Sequence, residues 1–122
     1  MPETLPVFDP GGDITYTASA AITGGQVVEV TGSGTVGPAG AGSTKCLGVA
    51  AFDCAAGERV TIHAGGVQRI VAAAGGVTAG DIASAGAAGT VTPIGAGTFG
   101  AKIGLVITTA AAGAVAETQM DR

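Results

Sequence analysis

The sequence predicts an all-β protein, a small β-barrel or β-sandwich with an internal duplication and an extended N-terminal arm. Three observations carry that expectation. Short β-branched segments partly alternate in polarity, glycine-rich stretches bound each of them, and several short motifs recur at a nearly constant spacing. A length of 122 residues is that of one ordinary domain, so a single β domain is expected over residues 14–122, preceded by an arm over 1–13.

The arm is set apart by proline. Pro2, Pro6 and Pro10 recur every four positions, Leu5, Val7 and Phe8 lie between them, and Gly11-Gly12 ends the segment. Proline donates no amide hydrogen and disfavours a helix at the residue before it, so this stretch is expected to lie extended across a surface. Leu5, Val7 and Phe8 are its apolar anchors and the candidate contact residues, on a partner's surface or on the chain's own oligomer.

Beyond the arm, segments 14–20, 26–31, 58–63, 67–72 and 103–109 read as strands, because each is short, β-branched and bounded by turn residues. Ala72–Ala74 and Ala110–Ala112 have helix propensity. Gly75, Gly76 and Gly113 limit any helix there to about one turn, so both pieces read as turns. Gly32-Ser33-Gly34 and the run from Gly37 to Gly42 read as flexible loops. Neither ends in Gly-Lys-Ser/Thr nor forms a dinucleotide fingerprint, so neither is a phosphate cradle.

The duplication is visible as ordered matches. Ile22-Thr23-Gly24-Gly25-Gln26-Val27 recurs as Val77-Thr78-Ala79-Gly80-Asp81-Ile82, and Gly34-Thr35-Val36 recurs as Gly89-Thr90-Val91, both shifted by 55. Leu47-Gly48-Val49 matches Ile103-Gly104-Leu105, and Ala55-Ala56-Gly57 matches Ala111-Ala112-Gly113, both shifted by 56, which implies one inserted residue in the second copy. Repeats over 22–62 and 77–118 follow. Each would hold a Gly-turn strand, a hairpin through Gly-Thr-Val, a (Leu/Ile)-Gly strand and an Ala-Ala-Gly turn into a further strand. Closing such halves removes exposed sheet edges.

Composition narrows the function. Hydrophobic residues make up 47% of the chain but aromatics only 3%, so the apolar content is mostly Ala and Val and the core is thin. Glycines number 23, and those inside regular elements weaken it further, so burial against other subunits or a larger surface is expected to contribute. Lys45, Arg59, Arg69, Lys102 and Arg122 are scattered singly, and the net charge is −4, which argues against nucleic-acid binding. No signal peptide is recognisable at the N-terminus. The longest apolar run, Ile103 to Ala116, is too short and too interrupted to span a membrane as a helix, so a product made in the cytosol is the simple reading.

No constellation of catalytic residues is present in the sequence pattern. Asp9, Asp13, Asp53 and Asp81 lie beside Gly, Pro or small residues, where a carboxylate accepts hydrogen bonds from turn amides. His63 ends an alternating run and reads as a strand residue, since Ser19, Ser33, Ser43 and Ser84 lack a nucleophile elbow. Cys46 and Cys54 can be read as a disulfide or as two small buried side chains, and a reducing cytosol favours the second. With His63 they are too few ligands for a closed zinc site. No cofactor is expected: Lys45 and Lys102 flank the repeated (Leu/Ile)-Gly positions but lack the context of a biotinyl or lipoyl carrier lysine.

From about residue 10 to residue 117 the chain resembles the capsid cement, or decoration, proteins of tailed bacteriophages. The resemblance rests on Pro10-Gly11-Gly12-Asp13-Ile14-Thr15-Tyr16-Thr17-Ala18, Ile22-Thr23-Gly24-Gly25-Gln26-Val27-Val28, Leu47-Gly48-Val49-Ala50, Ala56-Gly57-Glu58, Gly66-Val67 and Thr78-Ala79-Gly80-Asp81 in that order. It implies a β-barrel-like, non-enzymatic virion protein made in the host cytoplasm. It also implies a homotrimer on the outside of the phage head, at local three-fold positions between subunits of the major capsid protein. The proline-rich arm departs from the family pattern. The alternative is a head-fibre or adhesin module that binds host glycans; such sites commonly use exposed aromatics, and Phe8, Tyr16, Phe52 and Phe99 are the only four here.

Overall fold

A computed structural model describes residues 13–95 and 99–121; the arm with Leu5, Val7 and Phe8, and Asp9 with it, lies outside the described residues. The described chain is almost entirely strand and turn. β1 (Asp13–Ala18), β2 (Val27–Gly32), β3 (Thr35–Pro38), β4 (Cys46–Ala50) and β5 (Arg59–His63) close into a barrel in the order β1-β3-β2-β4-β5. β6 (Val67–Val71), β7 (Ile82–Ala85), β8 (Val91–Pro93), β9 (Lys102–Val106) and β10 (Val115–Met120) form a second five-stranded sheet in the order β6-β10-β9-β7-β8.

The second sheet repeats the pairings of the first. β1 runs antiparallel to β5 as β6 does to β10, β2 pairs with β3 and β4 as β7 pairs with β8 and β9, and β4 joins β5 as β9 joins β10. The parallel pair Ala18↔Val36 that closes the first barrel has its counterpart in the parallel bridge Ala72↔Val91, which brings the end of β6 to β8. The bridge Ile22↔Cys54 recurs as Val77↔Ala110. Even the irregularity after Val28 in β2 recurs after Ala83 in β7. The internal duplication is therefore a duplication of topology and of register.

The glycine of the (Leu/Ile)-Gly motif has a steric cause. A Cβ on Gly48 would collide with the carbonyl oxygen of His63, and one on Gly104 with that of Gln119. β4 and β9 can therefore approach their neighbours only where no side chain stands between them. The turns are equally local. The Gln26 side chain accepts from the Thr23 amide at 2.8 Å, and Asp81 accepts from the Thr78 amide at 2.8 Å in the equivalent turn.

Alternation places the cores. In β5, Val60 and Ile62 point inward while Arg59, Thr61 and His63 face out; β10 alternates in the same way. Val28, Val36, Ala50, Val60 and Ile62 fill the first barrel with Ala18, Ile22 and Cys54. The second core gathers Ile70, Val91, Ile103, Val106, Ala116 and their neighbours, and it also takes in Val27, Ala39, Cys46 and Val49 from the first half. As composition implies, the largest fully buried side chains are isoleucines: Ile62, Ile70 and Ile103.

The run from Gly37 to Gly42 differs from the flexible loop that the sequence predicts. Gly37 lies in β3 opposite Glu29, the Gly40 amide donates to the Glu29 carboxylate at 2.9 Å, and the Gly42 amide donates to the Ala85 carbonyl at 2.9 Å. A carboxylate on β2 and a carbonyl from the other half hold this backbone. The strand expected over 103–109 is shorter: β9 ends at Val106, and beyond it the Ile107 amide still donates to the Glu117 carbonyl at 2.8 Å.

Candidate binding surface

The residues that could suggest chemistry are dispersed. Among the described residues no three His, Cys, Asp or Glu side chains gather as a metal site. Asp53 and Asp81 accept from the amides of Gly24 and Thr78, as turn carboxylates do. Asp13 differs from that expectation: it opens β1, and its Oδ1 lies 2.6 Å from Nδ1 of His63, its direct cross-strand partner. Cys46 and Cys54 sit in different cores, which rules out their pairing. Their thiols donate to the carbonyls of Ser43 and Ala55. Burial, with the Glu58 charge adding to it, pushes the Cys54 thiol up from its ordinary value, so it is a poor nucleophile. Three of the scattered cations face acids: Lys45 faces Glu29 at 3.9 Å, Arg69 faces Glu117 at 4.0 Å and Lys102 faces Asp121 at 3.1 Å.

What the structure does gather is exposed apolar surface on the second half. Val67 and Val71 of β6 and Val115 of β10 point outward with 55%, 42% and 53% of their surface accessible, on either side of the Arg69–Glu117 pair. Leu105 and Ile82 continue this face across β9 and β7: Val67 pairs with Gln119, Gln119 with Leu105 and Leu105 with Ile82. Sequence reasoning missed this surface. The signal was available in Val67-Gln68-Arg69-Ile70-Val71, where Ile70 faces the core and both flanking valines fall on the opposite side.

Among the described residues, two shallow concavities lie away from the contact between the halves. One, of about 200 Å³, opens at the mouth of the first barrel between Tyr16, Val30, Gly34, Thr35, Val36 and Leu47. The other, of about 280 Å³, lies on the second half around Ile82, Lys102, Leu105 and Gln119. The charged groups that line them are the paired Lys102 and Asp121 of the second. Apolar strand residues with a few polar neighbours suit contact with another protein surface.

The family model described as phage cement protein matches residues 8–120. The chain belongs to the phage cement protein family. It is a structural component of a phage virion, as the sequence resemblance implies. No curated protein matches it. Among solved structures it is similar to the N-terminal base of the head fibre gp8.5 of bacteriophage phi29, with a TM-score of 0.69 at 16% identity over 90% of this cement protein and 93% of that chain. At that identity the likeness is one of fold, an all-β architecture shared with a head-fibre base.

Proposed function

We propose that this cement protein is a non-enzymatic homotrimer that binds the outer surface of a phage head and stabilises it by bridging subunits of the major capsid protein. The observation that carries the reading is the apolar β6–β10 face in a chain of this family. Val67, Val71 and Val115 are open to solvent, and burying each would contribute on the order of 1.5 kcal/mol. The Arg69–Glu117 pair among them supplies directional contacts that a purely apolar patch lacks. Leu5, Val7 and Phe8 of the arm are proposed as the second contact. Three copies joined in one particle leave the shell only when all their contacts break together, so modest single contacts suffice.

The test uses heads of the same phage stripped of this protein, with occupancy read by co-sedimentation. Wild-type protein is expected to saturate the heads. Val67→Ser with Val115→Ser, and separately a deletion of residues 1–9, are each expected to weaken binding about tenfold or more, the equivalent of roughly 1.4 kcal/mol. Unchanged occupancy with either variant removes that contact, and no binding by the wild type removes the reading. Light scattering is expected to give three times 11.4 kDa, and a monomer would remove the trimer.

The fold shared with a head-fibre base favours a second reading, a module of a head fibre, for which binding of host glycans is the proposed activity. Binding to a glycan array with no affinity for heads would select it.

A further inference from the structure

The seam between the two halves has one set of partners inside the chain and an equivalent set left open. Val27, Ala39, Cys46 and Val49 of the first half pack into the core of the second, against Ile70, Ala85, Val91 and Ile103. Polar contacts fix the register. The Gly89 amide donates to the Ala39 carbonyl at 2.9 Å, and Gln26 Nε2 donates to the Ala88 carbonyl at 3.0 Å. Gly89 is confined there, because a Cβ would stand 2.8 Å from both the Gln26 Cβ and the Val27 carbonyl oxygen.

The duplication supplies the counterpart of each surface. The second-half equivalents of Val27, Ala39, Cys46 and Val49 are Ile82, Ile94, Lys102 and Leu105, so this copy of the surface is apolar but for one lysine. The Ala39 amide donates to the Val27 carbonyl at 2.8 Å, and the Ile94 amide donates to the Ile82 carbonyl at the same distance. Val27 and Val49 are 0% and 2% exposed, whereas Ile82 and Leu105 are 40% and 44% exposed. The first-half equivalents of Ile70, Ala85, Gly89, Val91 and Ile103 are Tyr16, Val30, Gly34, Val36 and Leu47. These residues line the concavity at the mouth of the first barrel. Gly34 has nearly the same backbone angle as Gly89, φ of 73° against 74°, but nothing lies within 4 Å of where its Cβ would be. The projecting surface and the receiving surface are both present, at opposite ends of the duplication, and both are open.

We infer that a second copy of this chain completes the seam: Ile82, Ile94 and Leu105 of one copy seat in the first-barrel mouth of the next, around Tyr16, Val30, Gly34 and Leu47. The intrachain seam is the template for this contact. Such a contact is heterologous, head to tail, and it propagates until the rotation closes a ring. If the proposed trimer is correct, that ring has six halves. The inference rests on that reading only for the number of copies, and it does not require the capsid.

The test co-expresses two differently tagged chains, one carrying Ser33→Cys and the other Asp81→Cys, and treats them with a short bis-maleimide. Ser33 and Asp81 are the equivalents of Ala88 and Gln26, which touch across the intrachain seam. Covalent pairs joining the two tags are expected, with little or no product from either variant alone. Wild type, whose Cys46 and Cys54 are buried, is the blank. Leu105→Glu is expected to convert the oligomer to monomer in light scattering while its circular dichroism stays that of the wild type. A monomeric wild type overturns the inference. An intact trimer that gives no mixed-tag product, or that survives Leu105→Glu, also overturns it but leaves the trimer standing. Binding of heads is measured separately and bears on neither outcome.

Discussion

On β1 and β5 the outward positions are Asp13, Thr15, Thr17, Arg59, Thr61 and His63; on β6 and β10 the same register positions hold Val67, Arg69, Val71, Val115, Glu117 and Gln119. One ladder, used twice, thus presents a polar face in the first half and a largely apolar one in the second. The difference teaches which features the fold needs and which it leaves free. Inward apolar residues, side-chain acceptors for the turn amides and the motif glycines recur, because they decide whether the strands can meet. Outward side chains do not recur, because the ladder is indifferent to them, and there each half can be fitted to its own contact.

The motif glycines are where the comparison breaks most readily. Gly104→Ala is expected to cost about 3 kcal/mol and Gly48→Ala about 2 kcal/mol, since in each case the strand must retreat from a carbonyl of its neighbour. Urea denaturation midpoints measure both. Equal stability of either variant and the wild type would mean that the close approach is not what the glycine serves.

Gly89→Ala and Gly34→Ala sharpen it. Both residues have positive φ, so both substitutions strain the backbone by about 1 kcal/mol. Gly89 also faces Gln26 and Val27 across the intrachain seam, whereas Gly34 faces nothing within the chain, so the expected losses are about 2–3 and about 1 kcal/mol. Denaturation at protein concentrations low enough to keep the chain monomeric is the measurement, and equal losses would contradict a packed seam at Gly89.

A third contrast lies in the two cores. Thr118 stands where Ile62 stands in the first half; it is fully buried and its hydroxyl has no hydrogen-bond partner. Thr118→Val removes an unsatisfied polar atom while keeping the shape, and a gain of about 1 kcal/mol is expected in the same denaturation assay. A loss instead would mean that the hydroxyl has a partner such as a buried water.

These contrasts mark how far the fold was legible in the sequence. Turn motifs at offsets of 55 and 56 identified the hairpins because their glycines and carboxylates act within a few residues of themselves. The equivalence of β1 and β6 was hidden: Asp13–Ala18 and Val67–Ala72 share only the final Ala, since a strand can keep its register with any outward residue. The seam was hidden for a related reason. Val27 and Ile82 are alike as strand residues, and only the docking of one half on the other makes the first buried and the second open. The proposed arm contacts Leu5, Val7 and Phe8 were chosen from composition and lie outside the described residues, whereas the β6–β10 face needed the orientation that Ile70 fixes.

The smallest expected effect separates Cys54 from its repeat partner Ala110. Both occupy the bridge position opposite Ile22 or Val77, and only one can titrate. Burial, reinforced by Glu58, raises the Cys54 thiol, so the folded chain holds a proton that the unfolded chain releases in the ordinary thiol range. The stability this proton contributes is complete below the unfolded thiol's ordinary range and is lost as pH rises through the raised value in the folded chain. Denaturation midpoints should therefore fall with pH across that window in the wild type. Cys54→Ala, which makes the first half like the second at this position, should flatten the decline after a uniform loss of about 1 kcal/mol from the smaller side chain. A decline of the same slope in both would assign the alkaline sensitivity to groups other than Cys54 and would leave the two bridge positions electrostatically equivalent.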